Sequence, residues 1–391
     1  MKLYQTTISA YLLLSALLAT SMITYAGSPE NEDPQPRFAI IIDPIAEMHN
    51  SFPPPLHPSA APQTKKCRRA HQGLYNEIIF CSAQALSFAQ VYCPNAIYGF
   101  DETTGESRNS FWLYQNQIQL FTDIDKHLLQ AIPNPAYGAE PTVVLIYPWN
   151  NFSIGTRFNY LPEQDTHNAY AIVYADYHNN ELLFDFIPKH DAIIEKNQDE
   201  DATRNLMVTI AQNLIDRVAL SAEHAVIPFV WGGSSFIRFA TDYDFYQENG
   251  VWHRNDIEQP YTGYDNSEFV MRMAQMAGVS FPYKTTTAIG LGLAQQALQT
   301  HDTLKEGDLI WAPGYVAIIS NIERNEIIQA RGYSSGYGCI HRCTLSECFT
   351  NITTYDELLD AYFSETPIQF RDRQGNPIGQ SINFKILKLI D

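Results

Sequence analysis

The chain has 391 residues, with 25 basic and 43 acidic side chains and a net charge of −18. No basic cluster offsets that charge, which excludes nucleic acid as a natural partner and gives no attraction to anionic surfaces. Hydrophobic residues at 45% suffice for ordinary cores, while few charges (17%) and many aromatics (13%) exclude a disordered chain and favour a β-rich, extracytoplasmic protein of two or three domains.

Residues 1–26 read as a secretory signal: Lys2, then an apolar run centred on Tyr11 to Leu18, then Thr24-Tyr25-Ala26 before Gly27. The run is short for a span and has no stop-transfer flank, so cleavage is expected to leave a soluble secreted or periplasmic protein with no membrane span. All six cysteines, Cys67, Cys81, Cys93, Cys339, Cys343 and Cys348, follow the signal, in a compartment that permits disulfides. They fall three and three. Either one bridge joins the clusters or each cluster leaves a thiol, and the sequence does not choose among connectivities. Cys339, His341, Cys343 and Cys348 do not have the spacing of paired zinc ligands, so structural disulfides are the better reading and no metal or cofactor is expected.

After a polar, Pro-bearing leader at 27–36, Arg37 to Ile42 is a strand candidate ending at Asp43-Pro44. Residues 51–66, with Pro53-Pro54-Pro55, read as a loop. Short strands are expected at Glu77 to Cys81, Phe88 to Cys93 and Ser110 to Phe121, suggesting a small barrel or sandwich over 27–130. Residues 122–140 connect it, with some helical character, to a second β-rich set in 131–195: Thr142 to Tyr147, Ala169 to Ala175, and Glu181 to Ile187 after a turn at His178-Asn179-Asn180. The acidic stretch 195–203 reads as a solvated linker. A helix then runs from Asp201 or Thr203 to Ala225, with Leu206, Ile210, Leu214 and Val218 on its buried face and Pro228 beyond its end. The last domain spans 203–391.

Within it, Thr262-Gly263-Tyr264-Asp265-Asn266-Ser267-Glu268 reads as a strand turning into a helix. Phe269, Val270, Met273 and Ala277 recur at helical spacing, Gly278 stops them, and Asp265 is the expected N-cap. Position 266 falls in the first turn, where free N–H groups and the helix dipole would depress the pKa of a thiol. The residue there is an amide. The stretch from Ser234 to Thr262 holds Tyr243, Phe245, Tyr246, Trp252 and His253 among acidic residues, and reads as a surface insertion packed by its own aromatics or as a cover over a groove. Ile368 to Ile390 reads as a terminal hairpin turning at Gly375-Asn376-Pro377.

Three stretches now fall in order: Pro228-Phe229-Val230-Trp231-Gly232-Gly233; the turn at Asp265; and Gly307-Asp308-Leu309 followed by Gly314-Tyr315-Val316-Ala317 and Gln329-Ala330. Together, over roughly Thr203 to Phe363, they resemble the NlpC/P60 family of papain-like cysteine peptidases, which cleave bacterial cell-wall stem peptides. Asp43-Pro44-Ile45-Ala46, Gln72 to Glu77 and Ser153 to Arg157 resemble pieces of the bacterial SH3-like domains that precede this domain in some members. The resemblance implies an α+β chain: two small SH3-like β-barrels, then a papain-like domain.

The resemblance places Asn266 at the nucleophile position, Tyr315 at the general-base position and Gln329 at the third, orienting position. It places Phe229, Trp231, Asp265, Ser267 and Glu268 around the groove, with Phe229 where many members have tyrosine and Glu268 where they have a small glycine. An amide is no nucleophile, and a phenol with a pKa near 10 is a poor base at pH 7. The expectation is a catalytically inactive homologue that binds wall peptides or a protein partner. The rivals are a hydrolase using other groups, such as His341 with Cys343 or Asp265 with Glu268, and an exported interaction protein with no wall ligand.

Overall fold

The computed structural model describes residues 37–50, 52, 69–85, 87–139, 141–241, 245–248, 251–254, 262–381 and 383–389. Residues 1–26, expected to be a signal, Cys67 and much of the 242–261 stretch lie outside these. The chain is α+β; among the described residues the α-helices lie in its C-terminal half, and all three main sheets are antiparallel wherever strands pair.

The first sheet is built from β1 (Arg37–Ile41), β2 (Ile45–His49), β3 (Arg69–Leu74), β4 (Ile78–Ala85), β5 (Phe88–Tyr92), β6 (Ser110–Tyr114) and β7 (Ile118–Leu120), in the order β3-β2-β6-β5-β4-β1-β7. Its core holds Ala39, Ile41, Met48, Ile79, Val91, Phe111 and Leu113. Cys81 and Cys93 are buried free thiols within it. They pack as small hydrophobes, and burial raises both thiols well clear of neutral pH. Neither forms a disulfide, and Cys67, the third cysteine of this cluster, lies outside the described residues.

The second sheet contains β8 (Thr142–Leu145), β9 (Arg157–Tyr160), β10 (Ala169–Asp176), β11 (Glu181–Pro188) and β12 (Ala192–Ile194), in the order β11-β10-β9-β8-β12. Its core is shared with the first body. Tyr75 enters it, donating to the Ala175 carbonyl at 2.7 Å and accepting from the Ala175 N–H at 2.9 Å. The connection between the two sheets carries two short 3-10 turns, Phe121–Asp123 and Leu128–Ala131, whose Leu128 and Ala131 are buried in the same core.

The C-terminal half begins with helix α1 (Glu200–Ser221), capped by Asp199, which accepts from the Ala202 N–H at 2.8 Å. Met207, Ile210, Ala211, Leu214 and Val218 line its buried face at helical spacing. It ends four residues before the expected Ala225. His224 has a positive φ of 57°, and Ala225–Pro228 is already strand β13, paired through Ile227 with Ile340.

The third sheet runs β15-β13-β20-β19-β18-β17-β23, where β15 is Ala240–Thr241, β17 Leu309–Ala312, β18 Tyr315–Asn321, β19 Glu326–Arg331, β20 Cys339–Thr344 and β23 Lys385–Leu387. A small ribbon of β14 (Ser234–Ser235) and β16 (Gly263–Tyr264) leads into α2 (Asn266–Met276), followed by α3 (Thr286–Gly292). After β20 come the short α4 (Leu345–Cys348), α5 (Tyr355–Phe363), and the ribbon β21 (Ile368–Arg371) with β22 (Pro377–Ser381). The expected terminal hairpin is this ribbon, but Lys385–Leu387 leaves it to pair with β17 at the edge of the main sheet.

Alternation along the strands sorts side chains to the two faces of this sheet. Val316, Ile318, Ile328 and Ala330 pack with α1 and α2. Tyr315, Ala317, Ile319 and Ile327 pack on the other face with α5 and Phe349. Within the insertion, Phe245–Glu248 and Val251–Arg254 pair as a ribbon that lies against the Tyr333–Ser335 turn.

Candidate functional site

The site expected from the sequence lies where β13, the Trp231-Gly232-Gly233 turn and the start of α2 meet. Asp265 binds them together. Its carboxylate caps the helix by accepting from the Glu268 N–H at 2.8 Å, and its other oxygen accepts from the Gly232 N–H at 3.2 Å. The backbone adds Val230 N–H to the Tyr264 carbonyl at 3.0 Å and Asp265 N–H to the Gly233 carbonyl at 3.1 Å. Gly232 has φ +63°, and a Cβ there would meet the Arg69 carbonyl oxygen at 2.6 Å, so glycine is required on two counts. Strand β3 of the first sheet is thus pressed directly onto the turn.

Asn266, partly exposed at the first helical position, has both ends of its amide engaged. Its Nδ2 donates to the Gly314 carbonyl at 2.9 Å, and its Oδ1 accepts from the Ser267 N–H at 2.9 Å. Ser267 is buried, donating to the Lys284 carbonyl at 2.7 Å. Phe229 is buried with its ring edge-on to Trp231 at 5.3 Å, and Trp231 stays partly exposed.

Glu268 is placed differently from the expectation of a carboxylate in a substrate channel. It is 0% exposed. Lys284 Nζ lies 2.7 Å from its Oε1 and His71 Nδ1, from β3, lies 3.2 Å from its Oε2. The lysine contact is a charge contact, with Oε1 lacking an aligned hydrogen bond. Burial alone would raise the carboxyl; Lys284 and then His71 overturn that and hold it at about 2. Burial keeps His71 neutral at pH 7, its pKa lowered despite the carboxylate. Asp265 moves the other way, to about 7, through burial and then the Glu268 charge. One turn along, Arg272 pairs with Glu77 and donates to the carbonyls of Ser234 at 3.0 Å and Gln72 at 2.9 Å. The buried face of α2 is therefore stapled by charge to the first sheet. His71, Lys284 and Arg272 were not among the expected site residues. Two charged side chains inside an otherwise apolar helix face were the available signal that buried partners existed.

Tyr315 and Gln329 are brought together, the phenol donating to Gln329 Oε1 at 2.8 Å. They stand on the sheet face opposite α2, as the packing of Tyr315 with Phe370 (4.9 Å, edge-on) and Phe349 shows. Asn266 touches the backbone of the preceding residue and not this pair. Burial pushes the Tyr315 phenol further above its usual range.

Gln329 Nε2 also lies 3.0 Å from His341 Nε2, 3.0 Å from Cys343 Sγ and 2.9 Å from Cys348 Sγ. Cys343 and Cys348 form a disulfide, so the bridge lies within the C-terminal cluster and removes both sulfurs as nucleophiles or zinc ligands. Cys339 is buried one strand position from Ile340. His341 stacks on Tyr337 at 4.1 Å, and burial lowers it to about 3, leaving it neutral. Asp308 of the Gly-Asp-Leu motif is buried in an ion pair with Arg204 of α1, a role in holding sheet to helix. Among the described residues, no group of three or more His, Cys, Asp or Glu is placed to hold a metal ion, and no helix is long and apolar enough to cross a membrane. A cleft of about 530 Å³ lies at the far end of α2, lined by Tyr137, Lys196, Thr203 and Gly278 among others, away from Asn266.

No protein-family model matches the chain, and no curated protein matches it in sequence. In structure it is similar to an NlpC/P60 family protein from Bacillus cereus ATCC 10987, with a TM-score of 0.50 and 13% identity, over 79% of this chain and 94% of that one. NlpC1 and NlpC2 from Trichomonas vaginalis align over 82% and 80% of this chain, and 92% and 93% of their own, at 12% and 13% identity and TM-scores of 0.31. At these identities the first likeness is one of fold: the chain has an α+β, NlpC/P60-like architecture.

Proposed function

We propose that this chain is an exported NlpC/P60-like protein that recognises its ligand without hydrolysing it, its N-terminal sheets serving as SH3-like domains. One observation carries this reading. At the corner where such a fold would hold a nucleophile, Asn266 spends both ends of its amide on Gly314 and Ser267, while Tyr315 points into the opposite face of the sheet. Thiol catalysis needs a nucleophile and an adjacent base, and this pair supplies neither. Rescue through His341 and Cys343 is opposed by the disulfide and by burial of the histidine, which lowers it to about 3 and leaves it a weak base. Wall stem peptides are the proposed ligand class, with a protein partner as the second reading.

The test uses the purified chain with its disulfide intact and an L-Ala-γ-D-Glu-diaminopimelate peptide, following cleavage by mass spectrometry and binding by calorimetry in the same samples. Binding without turnover is expected. Turnover would overturn the non-hydrolytic reading; absence of both would move the ligand from wall peptide to protein partner.

A further inference from the structure

A strand at the edge of a sheet pairs with other chains unless it is short, bulged, covered or guarded by lysine or proline. Most edges of the three main sheets are short: β7, β12 and β23 have three residues and β15 has two. The longer β3 is closed by the C-terminal half. Its Gln72 N–H donates to Ser234 Oγ at 3.1 Å, and its Gln72 carbonyl accepts from Arg272 at 2.9 Å. Among the described residues, β11 at the edge of the second sheet has none of these protections. It runs eight residues in unbroken register with β10, holds no lysine, and has its proline only at the last position.

The backbone of β10 fixes which way β11 faces. Ala171 spends its N–H on Asp165 Oδ1 and its carbonyl on the Leu161 N–H, both at 2.9 Å, and Ala175 spends both groups on the Tyr75 hydroxyl. Neither is turned to its neighbour in β11, Phe186 or Leu182. Antiparallel pairs alternate, so Leu182, Phe184 and Phe186 aim their N–H and carbonyl groups outward. The Phe186 N–H reaches the carboxylate beside it, Asp185 Oδ1, at 2.7 Å. Among the described residues, no element besides β10 makes a backbone hydrogen bond to residues 181–187. Side chains at alternate positions share a face, and there Phe184 is 60% and Phe186 48% exposed. The charged residues of the strand, Glu181 and Asp185, are both acidic. The next base along the chain, Lys189, is taken up by Asp165 at 3.5 Å and by the Tyr170 ring.

We propose that β11 is a strand-addition site for an extended protein segment of alternating apolar and basic residues. Apolar side chains opposite Phe184 and Phe186 cover the two rings, and a basic one opposite Asp185 meets its carboxylate, which is released as the Phe186 N–H turns to an incoming carbonyl. A second copy of this chain brings the same acids and a net charge of −18 to the joint, which disfavours it. The site is independent of what the corner at Asn266 binds.

The test uses the whole chain and an end-blocked heptapeptide of alternating lysine and valine, lysine at both ends, titrated by calorimetry to about 1 mM. A control peptide is N-methylated at its central valine, which keeps the charge and removes a strand hydrogen bond. The expected result is binding of the first peptide, binding of the methylated one weaker by at least about tenfold, and slowed amide hydrogen exchange in residues 181–188. Phe184→Pro removes an outward N–H that β10 does not use, and should weaken binding at least about tenfold in a folded chain. If it does not fold, Phe186→Ser decides by the same measure. Equal binding of the methylated peptide, or unchanged affinity in the variant, would reduce the effect to general attraction between opposite charges and overturn the site. So would absence of binding at the highest concentration. A dimer of the free chain in analytical ultracentrifugation that Phe184→Pro dissociates would give the edge to a second copy and overturn the proposed partner.

Discussion

Replacing Glu268 by glutamine keeps the volume of the side chain and deletes its charge, which leaves the Lys284 ammonium, 5% exposed in its side chain, without its counter-charge. Two routes give the size of the loss. Breaking a buried ion pair by removing one partner typically costs about 3–5 kcal/mol. The carboxyl is held at about 2 against an ordinary value of 4.5, a difference of roughly two and a half pH units, worth about 3 kcal/mol. The sign follows from the depressed value: this stability is complete above the unfolded value of 4.5 and is lost as pH falls from there towards 2. His71, also lowered, loses its contribution as pH falls below 6.5. Asp265, raised to about 7, acts in the opposite sense, its contribution being complete below its unfolded value of 3.8 and lost as pH rises through 7. The assay is urea unfolding at pH 7 and at pH 4, followed by tryptophan fluorescence. Glu268→Gln should lose about 3 kcal/mol at pH 7, less at pH 4, and much of the loss should return in the double variant with Lys284→Met. A loss below about 1 kcal/mol at pH 7 would refute the reasoning, because only a solvated pair is worth so little.

The corner itself offers further tests. Asn266→Cys combined with Tyr315→His should give no turnover of the wall peptide by mass spectrometry, since side chain 315 faces Phe370 and Phe349; hydrolysis would mean the strand can present that residue to α2. Gly232→Ala should destabilise by at least about 2 kcal/mol, from an unfavourable positive φ and a clash with the Arg69 carbonyl, read as a lowered thermal midpoint; an unchanged midpoint would say β3 yields freely. Cys343→Ser with Cys348→Ser should cost about 2 kcal/mol, the entropy of a short closed loop, and wild type in reducing agent should match it; a chain indifferent to reduction would deny the bridge a structural role.

Much of the fold was legible because it depends on local rules. Helix α2 was readable from Asp265 as cap and from the spacing of Phe269, Val270 and Met273, and the structure places all of them as expected. The end of α1 was not, because Ala225–Pro228 is a strand only by virtue of Ile340, more than a hundred residues away. The same limit applies to Lys385–Leu387, which reads as a hairpin arm but pairs with β17. At the site, positions contiguous with Asp265 were legible, and the relation of Asn266 to Tyr315 was not. Which face of a strand a residue takes depends on register and on what covers each side. The tyrosine follows Ala317 and Ile319 into an aromatic cluster that no local pattern announces.

The fate of Glu268 shows how far that limit reaches. Read along the chain, a carboxylate one residue past Ser267 looks like a functional charge at the mouth of a helix. It is held by Lys284 and by His71, and Arg272 one turn on by Glu77; His71 and Glu77 come from the first sheet and the turn after β3, nearly two hundred residues earlier. The buried charges of α2 therefore hold the first sheet to the helix. They cannot also serve a ligand without breaking the joint, since each is enclosed and paired. What remains available at this corner is what the joint leaves partly exposed: the indole of Trp231, the second Nδ2 hydrogen of Asn266, and the unobstructed space beside Gly314, where a Cβ would meet nothing within 4 Å. Those groups can stack and hydrogen-bond, and none can act as a nucleophile towards a peptide bond at neutral pH. The proposed reading, recognition without hydrolysis, rests on which side chains the inter-sheet contact consumes as much as on which one stands at position 266.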